Sequence, residues 1–119
     1  MKRTCQLYLR DILEAIERIE SYVKGRSFEQ FSKDTLVIDA VVRNFEIIGE
    51  ATKHIPAEIK QDHPLIKWKE MAGMRDKLAH EYFGVDVEIL WRTSTNRLST
   101  LKPLIEELLK EIEETKLDE

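Results

Sequence analysis

The sequence predicts an all-α fold, and three observations predict it. Glycine and proline are scarce, with 4 Gly and 3 Pro in 119 residues, about half of ordinary usage. Sandwiches and barrels need turn residues every few positions, so this shortage counts against them. Apolar residues recur at spacings of three and four over long stretches, which is the helical period. The composition, 42% hydrophobic and 35% charged, is that of amphipathic helices and not of a disordered chain. The length leaves room for one domain, residues 1–119, whose core needs neither disulfide nor metal.

Four main helices account for nearly all of the chain. The first runs from about Thr4 to Lys24, with Leu9, Ile12, Leu13, Ile16, Ile19 and Val23 on one face and Glu, Arg and Lys on the other. Gly25 is a stop signal. A connection with a short apolar turn (Phe28, Phe31) leads to Asp34, an N-cap residue for the second helix. That helix runs to about Ile55, before Pro56. After a link containing His63-Pro64, the third helix runs from about Leu65 to Phe83 and is closed by Gly84. Asp86 caps the fourth, which continues to about Glu114 with Leu98, Leu101, Ile105, Leu108 and Ile112 on one face. Pro103 is expected to bend it, because the ring removes a backbone donor. Residues 116–119 are expected to fray.

The second helix is unusually apolar around its circumference. At ~100° per residue, Asp39, Arg43, Glu46, Glu50 and Lys53 fall in a strip of about 80°, and apolar or small residues fill most of the rest. A surface helix needs an apolar arc only somewhat over ~100°. Two readings stand open: a central helix of a small bundle, or one that also lines a dimer interface, with Gly49 permitting close approach. Asn44 lies inside the apolar arc between Val41 and Ile48. A buried amide needs partners, so it either ties the core together or supports a site.

The net charge of −4 and pI of about 5.5 argue against long tracking of nucleic-acid phosphates, which needs a basic surface. A small cleft with a few cations remains compatible. Cys5 is the single cysteine, which excludes an internal disulfide and a multi-thiolate zinc site. His54 and His63 have no metal-ligand spacing with His80, so neither a metal site nor a cofactor is expected. Apolar runs such as Leu36-Val37-Ile38 are far too short to span a membrane, and Met1-Lys2-Arg3-Thr4 does not open a signal peptide. A soluble, cytoplasmic protein is expected.

The third helix carries the chemistry. Trp68, Met71, Ala72, Arg75, Ala79 and Tyr82 form one stripe at helical spacing, which puts a guanidinium in a seam that should be apolar. Arginine is seldom buried without a partner. A structural salt bridge to Glu50 or Glu46 and an anion site are equally consistent with that placement. His80 follows Arg75 by five residues, about 7.5 Å along the axis and ~140° around it, so the two diverge on one helix. A two-fold pairing of this helix with its symmetry mate would bring both kinds of side chain into one cleft. Asp76 precedes His80 by four residues on the same face, where a carboxylate orients an imidazole and favours its protonated form. The plainer alternative is a surface histidine with an i,i+4 partner. Tyr8, Tyr22, Trp68 and Trp91 read as packing residues. Lys67, Lys69, Lys77 and Arg43 are further cations for a cleft rim, although charge runs are ordinarily solvated faces.

The segment from Ile66 to Asp86, with Arg75, four intervening residues, His80, one residue and Tyr82, resembles the signature of HepT-like toxins of the HEPN superfamily. The run Asn44-Phe45-Glu46-Ile47-Ile48-Gly49-Glu50-Ala51 is similar to the family's second-helix signature, and Leu90-Trp91 to the start of its last helix. The resemblance covers roughly residues 7 to 114. It implies an all-α, up-and-down HEPN bundle of four main helices plus short connecting helical turns, assembled as a homodimer with the paired motifs at the interface. It further implies metal-independent RNA cleavage, with Arg75 on the scissile phosphate and His80 as general acid or base, and Asp76 and Asn44 in support. The implied partner is a nucleotidyltransferase antitoxin of the MntA type, which in the family adds AMP to the motif tyrosine, here Tyr82. Relatives often carry Asn where this chain has Asp76, a carboxylate that either weakens phosphate affinity or tunes His80. The competing reading is a non-catalytic helical dimer that binds a nucleotidyltransferase or a nucleotide through the same cleft.

Overall fold

The computed structural model describes the backbone of residues 4–80 and 86–117, and the side chains of that set apart from residues 75–80 and 116–117. All of its regular elements are helical, as the sequence predicts. Helix α1 spans Cys5–Val23. Its first turn is capped by Thr4, whose hydroxyl accepts from the Leu7 amide at 3.3 Å. Gly25 follows the helix with φ 75°, a left-handed conformation that glycine adopts without steric cost. The apolar turn of the sequence is a short helix, α2 (Phe28–Lys33). Ser27 and Gln30 close a reciprocal capping box at its start, with bonds of 3.1 and 2.9 Å.

Helix α3 spans Thr35–Lys53, and the Asp34 carboxylate accepts from the Val37 amide at 3.2 Å. It runs antiparallel to α1. Arg26 meets Asp34 at one end (3.1 Å) and Tyr8 stacks on His54 at the other. Its buried residues, Val41, Asn44, Phe45, Ile48, Gly49, Ala51 and Thr52, cover an arc of roughly 160° at ~100° per residue. The width has a simple cause: α3 packs against α1 on one side and against α5 (Trp68–His80) on the other. The central-helix reading therefore accounts for the apolar arc.

The link after Pro56 holds a further short helix, α4 (Ala57–Asp62). The third main helix begins later than the sequence pattern suggests, at Trp68 instead of Leu65. Behind Pro64 the backbone bonds are short-range, Ile66 to His63 and Trp68 to Ile66, and Leu65 is 76% exposed. A helix-type bond first appears from the Met71 amide to Lys67. The expected end at Phe83 and Gly84 lies outside the described residues.

Helix α6 (Val87–Arg92) is capped by Asp86, whose carboxylate accepts from the amides of Glu88 and Ile89. It passes through a π-turn, Thr93–Arg97, into α7, Leu98–Leu117. Helix α7 contains Pro103 and lies antiparallel to α1, joined by Arg10–Glu113 at 2.6 Å and Lys102–Glu20 at 3.6 Å. The π-turn is a departure from regular geometry that the sequence reading did not contain. One core joins the elements: Leu9, Ile12, Ile16 and Ile19 of α1, Phe31, Phe45 and Ile48, and Ile105 and Leu108 of α7 are all almost wholly buried. Each such side chain contributes on the order of 1.5–3 kcal/mol.

Candidate functional site on helix α5

Helix α5 is held by its first half. Trp68 is buried, and its indole Nε1 donates to the His63 carbonyl at 3.0 Å. Met71 is buried and Ala72 and Met74 are half-buried, whereas Lys69, Glu70 and Gly73 are exposed. Glu70 reaches Arg97 of the π-turn, Nη1 to Oε2 at 3.0 Å. These contacts seat α5 against α3 and tie its outer side to the chain that enters α7.

Arg75, Asp76 and His80 belong to the backbone of this helix. Position 75 follows Met71 by four and Trp68 by seven, so it falls at the spacing of the face that those two residues bury. His80 stands at the last residue of α5. The regular helix keeps the five-residue separation expected from the sequence, about 7.5 Å of rise and ~140° of rotation. The side chains of Arg75, Asp76 and His80, and the whole of Tyr82, lie outside the described residues, as does the expected cation Lys77.

Two acidic candidates for pairing with Arg75 have neighbours on α3 itself. Glu46 approaches Arg43 at 3.8 Å, and Glu50 approaches His54 at 3.6 Å. Arg43 is thus an ion-paired residue, while Lys67 and Lys69 are exposed. Asn44 is 5% exposed. Its Nδ2 donates to the Ala40 carbonyl at 2.9 Å, and among the described residues its Oδ1 has no partner. A buried acceptor left unpaired costs about 1–3 kcal/mol, so Asn44 is more than a filler of the apolar arc.

The titrations that are clearly displaced lie elsewhere. Burial pushes the Cys5 thiol up from its ordinary value, and the hydrogen bond from Arg10 holds the Glu113 carboxyl down. Both belong to α1 and α7. No group of three or more metal-ligating side chains exists among the described residues, and no described helix is long and apolar enough to cross a membrane.

The sequence reading missed a cleft of about 520 Å³ between the start of α1, α4 and the end of α7. Ile59, Leu108 and Ile112 form its apolar lining, and His63 and Glu111 (3.4 Å apart) stand at its polar edge. None of Asn44, Arg75, Asp76 or His80 lines it. No sequence signal could have announced it, because its walls come from three distant segments.

Comparison with known proteins places the chain. Residues 12–108 match the family model described as "Ribonuclease HepT-like". A protein of Thermococcus cleftensis named "Probable ribonuclease HepT" is 52% identical over 110 residues, spanning 92% of this chain and 100% of that one. A "Putative RNase" of Caldanaerobacter subterraneus is 46% identical over 108 residues, 91% of this chain and 96% of that one. A "Putative RNase" of Methanocaldococcus jannaschii is 43% identical over 112 residues, 94% and 93% of the two chains. No solved structure matches. The matched span includes α3, α5, the π-turn and the helical positions of Arg75 and His80. The chain belongs to the ribonuclease HepT-like family.

Proposed function

We propose that the protein is the ribonuclease toxin of a toxin–antitoxin pair, a metal-independent endoribonuclease whose active site is assembled between two copies of the chain. The observation that carries the reading is the placement of Arg75 and His80 on one helix within the family-matched span, with Tyr82 two residues on. The names of the relatives supply RNA as the substrate class.

One α5 cannot converge the two groups, since they point about 140° apart. Two copies related by a two-fold axis set Arg75 of one chain toward His80 of the other. Arg75 holds the scissile phosphate by paired N–H donors and stabilises the charge that gathers on its oxygens. One His80 takes the proton of the ribose 2′-hydroxyl, and the 2′-oxygen attacks phosphorus. The bond to the 5′-oxygen breaks, and the other His80, protonated, supplies the proton to that leaving oxygen. The products are a 2′,3′-cyclic phosphate and a 5′-hydroxyl. The need for a 2′-hydroxyl selects RNA over DNA. Asp76, four residues before His80, orients the imidazole, and Asn44 supports the site from α3.

A nucleotidyltransferase antitoxin silences the enzyme by moving AMP from ATP to the Tyr82 oxygen with release of pyrophosphate, by complex formation, or by both. The added phosphate brings bulk and negative charge beside the cleft and repels RNA. The chain acts as one domain in the cytoplasm.

The test is purified protein, free of partner, incubated with single-stranded RNA in chelator beside Arg75→Ala and His80→Ala. Cleavage by the intact protein alone supports the enzyme. Equal cleavage by all three reveals a contaminant, and none by the intact protein favours the non-catalytic dimer. With the partner and ATP, the mass should rise by AMP units, and an equal rise in Tyr82→Phe would move the modification to another residue.

A further inference from the structure

The π-turn Thr93–Arg97 lies between α6 and α7, and its hydrogen bonds show how the sequence encodes it. The Leu98 amide donates to the Thr93 carbonyl, five residues back. In that register the carbonyls just upstream lose the amide that would serve them four residues on. Three consecutive hydroxyls take the place of those donors. Thr93 Oγ1 bonds the Ile89 carbonyl, Ser94 Oγ bonds Leu90 and Thr95 Oγ1 bonds Trp91, each at 2.8 Å. Ser94 is 2% exposed, so its hydroxyl has no water to fall back on.

The π-turn carries about one residue more than an α-turn, which rotates α6 by about 100° relative to an uninterrupted helix. Without it, Val87, Leu90, Trp91 and Ser94 would continue the buried stripe of Leu98, Ile105 and Leu108. With it, α6 packs on α2, and Trp91 lies 5.1 Å from Phe31 and 6.2 Å from Phe28, ring centre to ring centre.

We infer that the hydroxyls of Thr93, Ser94 and Thr95 are positioning groups for the ribonuclease site: they hold the π register that fixes where the segment between His80 and Val87, with Tyr82 in it, is anchored. The inference rests on the proposed function for its catalytic consequence, and on the hydrogen bonds above for its structural one. The segment is tied at His80 to α5 and at Val87 to α6. Turning α6 by about 100° on a Cα radius of about 2.3 Å displaces its anchor by roughly 3.5 Å. Misplacement of about 1 Å around a reacting centre is enough to cost on the order of a hundredfold in rate.

The test uses the full chain in three forms: hydroxyl-free (Thr93→Val, Ser94→Ala, Thr95→Val), hydroxyl-retaining (Thr93→Ser, Ser94→Thr, Thr95→Ser), and a deletion of Thr95 that removes the extra residue. Expected is a fall of about tenfold or more in kcat for RNA cleavage in the hydroxyl-free and deletion forms, with KM within about twofold. Both should show the same shift in Trp91 emission, and the hydroxyl-retaining form should restore both readouts. Unchanged emission and kcat in the hydroxyl-free form would overturn the inference. So would loss of its far-UV helix signal, which would make the hydroxyls a stability element. If the unaltered protein cleaves no RNA, the proposed function fails separately, and the Trp91 shift alone decides the role of the hydroxyls.

Discussion

Tyr8 on α1 and His54 at the end of α3 stack face to face, their ring centroids 4.6 Å apart and their planes 8° from parallel. The pair closes one end of the α1–α3 contact, as Arg26 and Asp34 close the other. Offset or stacked aromatic pairs contribute about 0.5–1.5 kcal/mol beyond their buried area. Tyr8→Leu keeps the apolar body and removes the aromatic partner. It should lower stability by about 1 kcal/mol and the midpoint of thermal unfolding by roughly 3–6 °C. A melt unchanged to within a degree would show that the stack contributes nothing.

Asn44 offers a sharper test, because stability and activity should move in opposite senses. Its unpaired Oδ1 is a cost to the fold, and replacing a buried polar group by an apolar one of similar shape is nearly neutral or stabilising. Asn44→Leu should therefore melt at or above the temperature of the unaltered protein while cleaving RNA more slowly. Asn44→Asp should be destabilised by about 2 kcal/mol or more near neutral pH. Burial raises the pKa of that carboxyl in the folded state, so the loss should fade below about pH 4, where the unfolded chain is protonated as well. Denaturant titrations at two pH values measure both effects.

The Arg10–Glu113 pair governs a small part of the acid limb. Arg10 holds the Glu113 carboxyl below its ordinary value of 4.5. A depressed carboxyl contributes stability that is present above the unfolded pKa and lost as pH falls through the folded one. Glu113→Gln should leave the melt at pH 7 slightly lower and erase its share of the fall below pH 4.5. Because the pair sits at the surface, the effect should also shrink in high salt.

A composite site has a distinctive arithmetic. Arg75→Ala and His80→Ala should each lower kcat by about a hundredfold or more when alone. Co-expressed as a random mixture, half of the dimers carry one chain of each kind, and in these one of the two sites keeps both groups. Activity should recover to about a quarter of that of the unaltered dimer. No recovery on mixing would place Arg75 and His80 of one chain in the same site.

The sequence by itself determined the helical class, the caps at Thr4, Asp34 and Asp86, and the order of Arg75, His80 and Tyr82, because each depends on neighbours within a turn or two. Periodicity says which face of a helix is buried and leaves open what buries it. Only the tertiary structure decided that α3 spreads its wide apolar arc between α1 and α5, that Asn44 ends with an unused acceptor, and that Tyr8 finds His54. It also decided that α6 turns away from the stripe of α7 toward Phe31. That last choice is made by three hydroxyls and a distant aromatic cluster acting together, a balance between local hydrogen bonds and long-range packing that no local pattern contains.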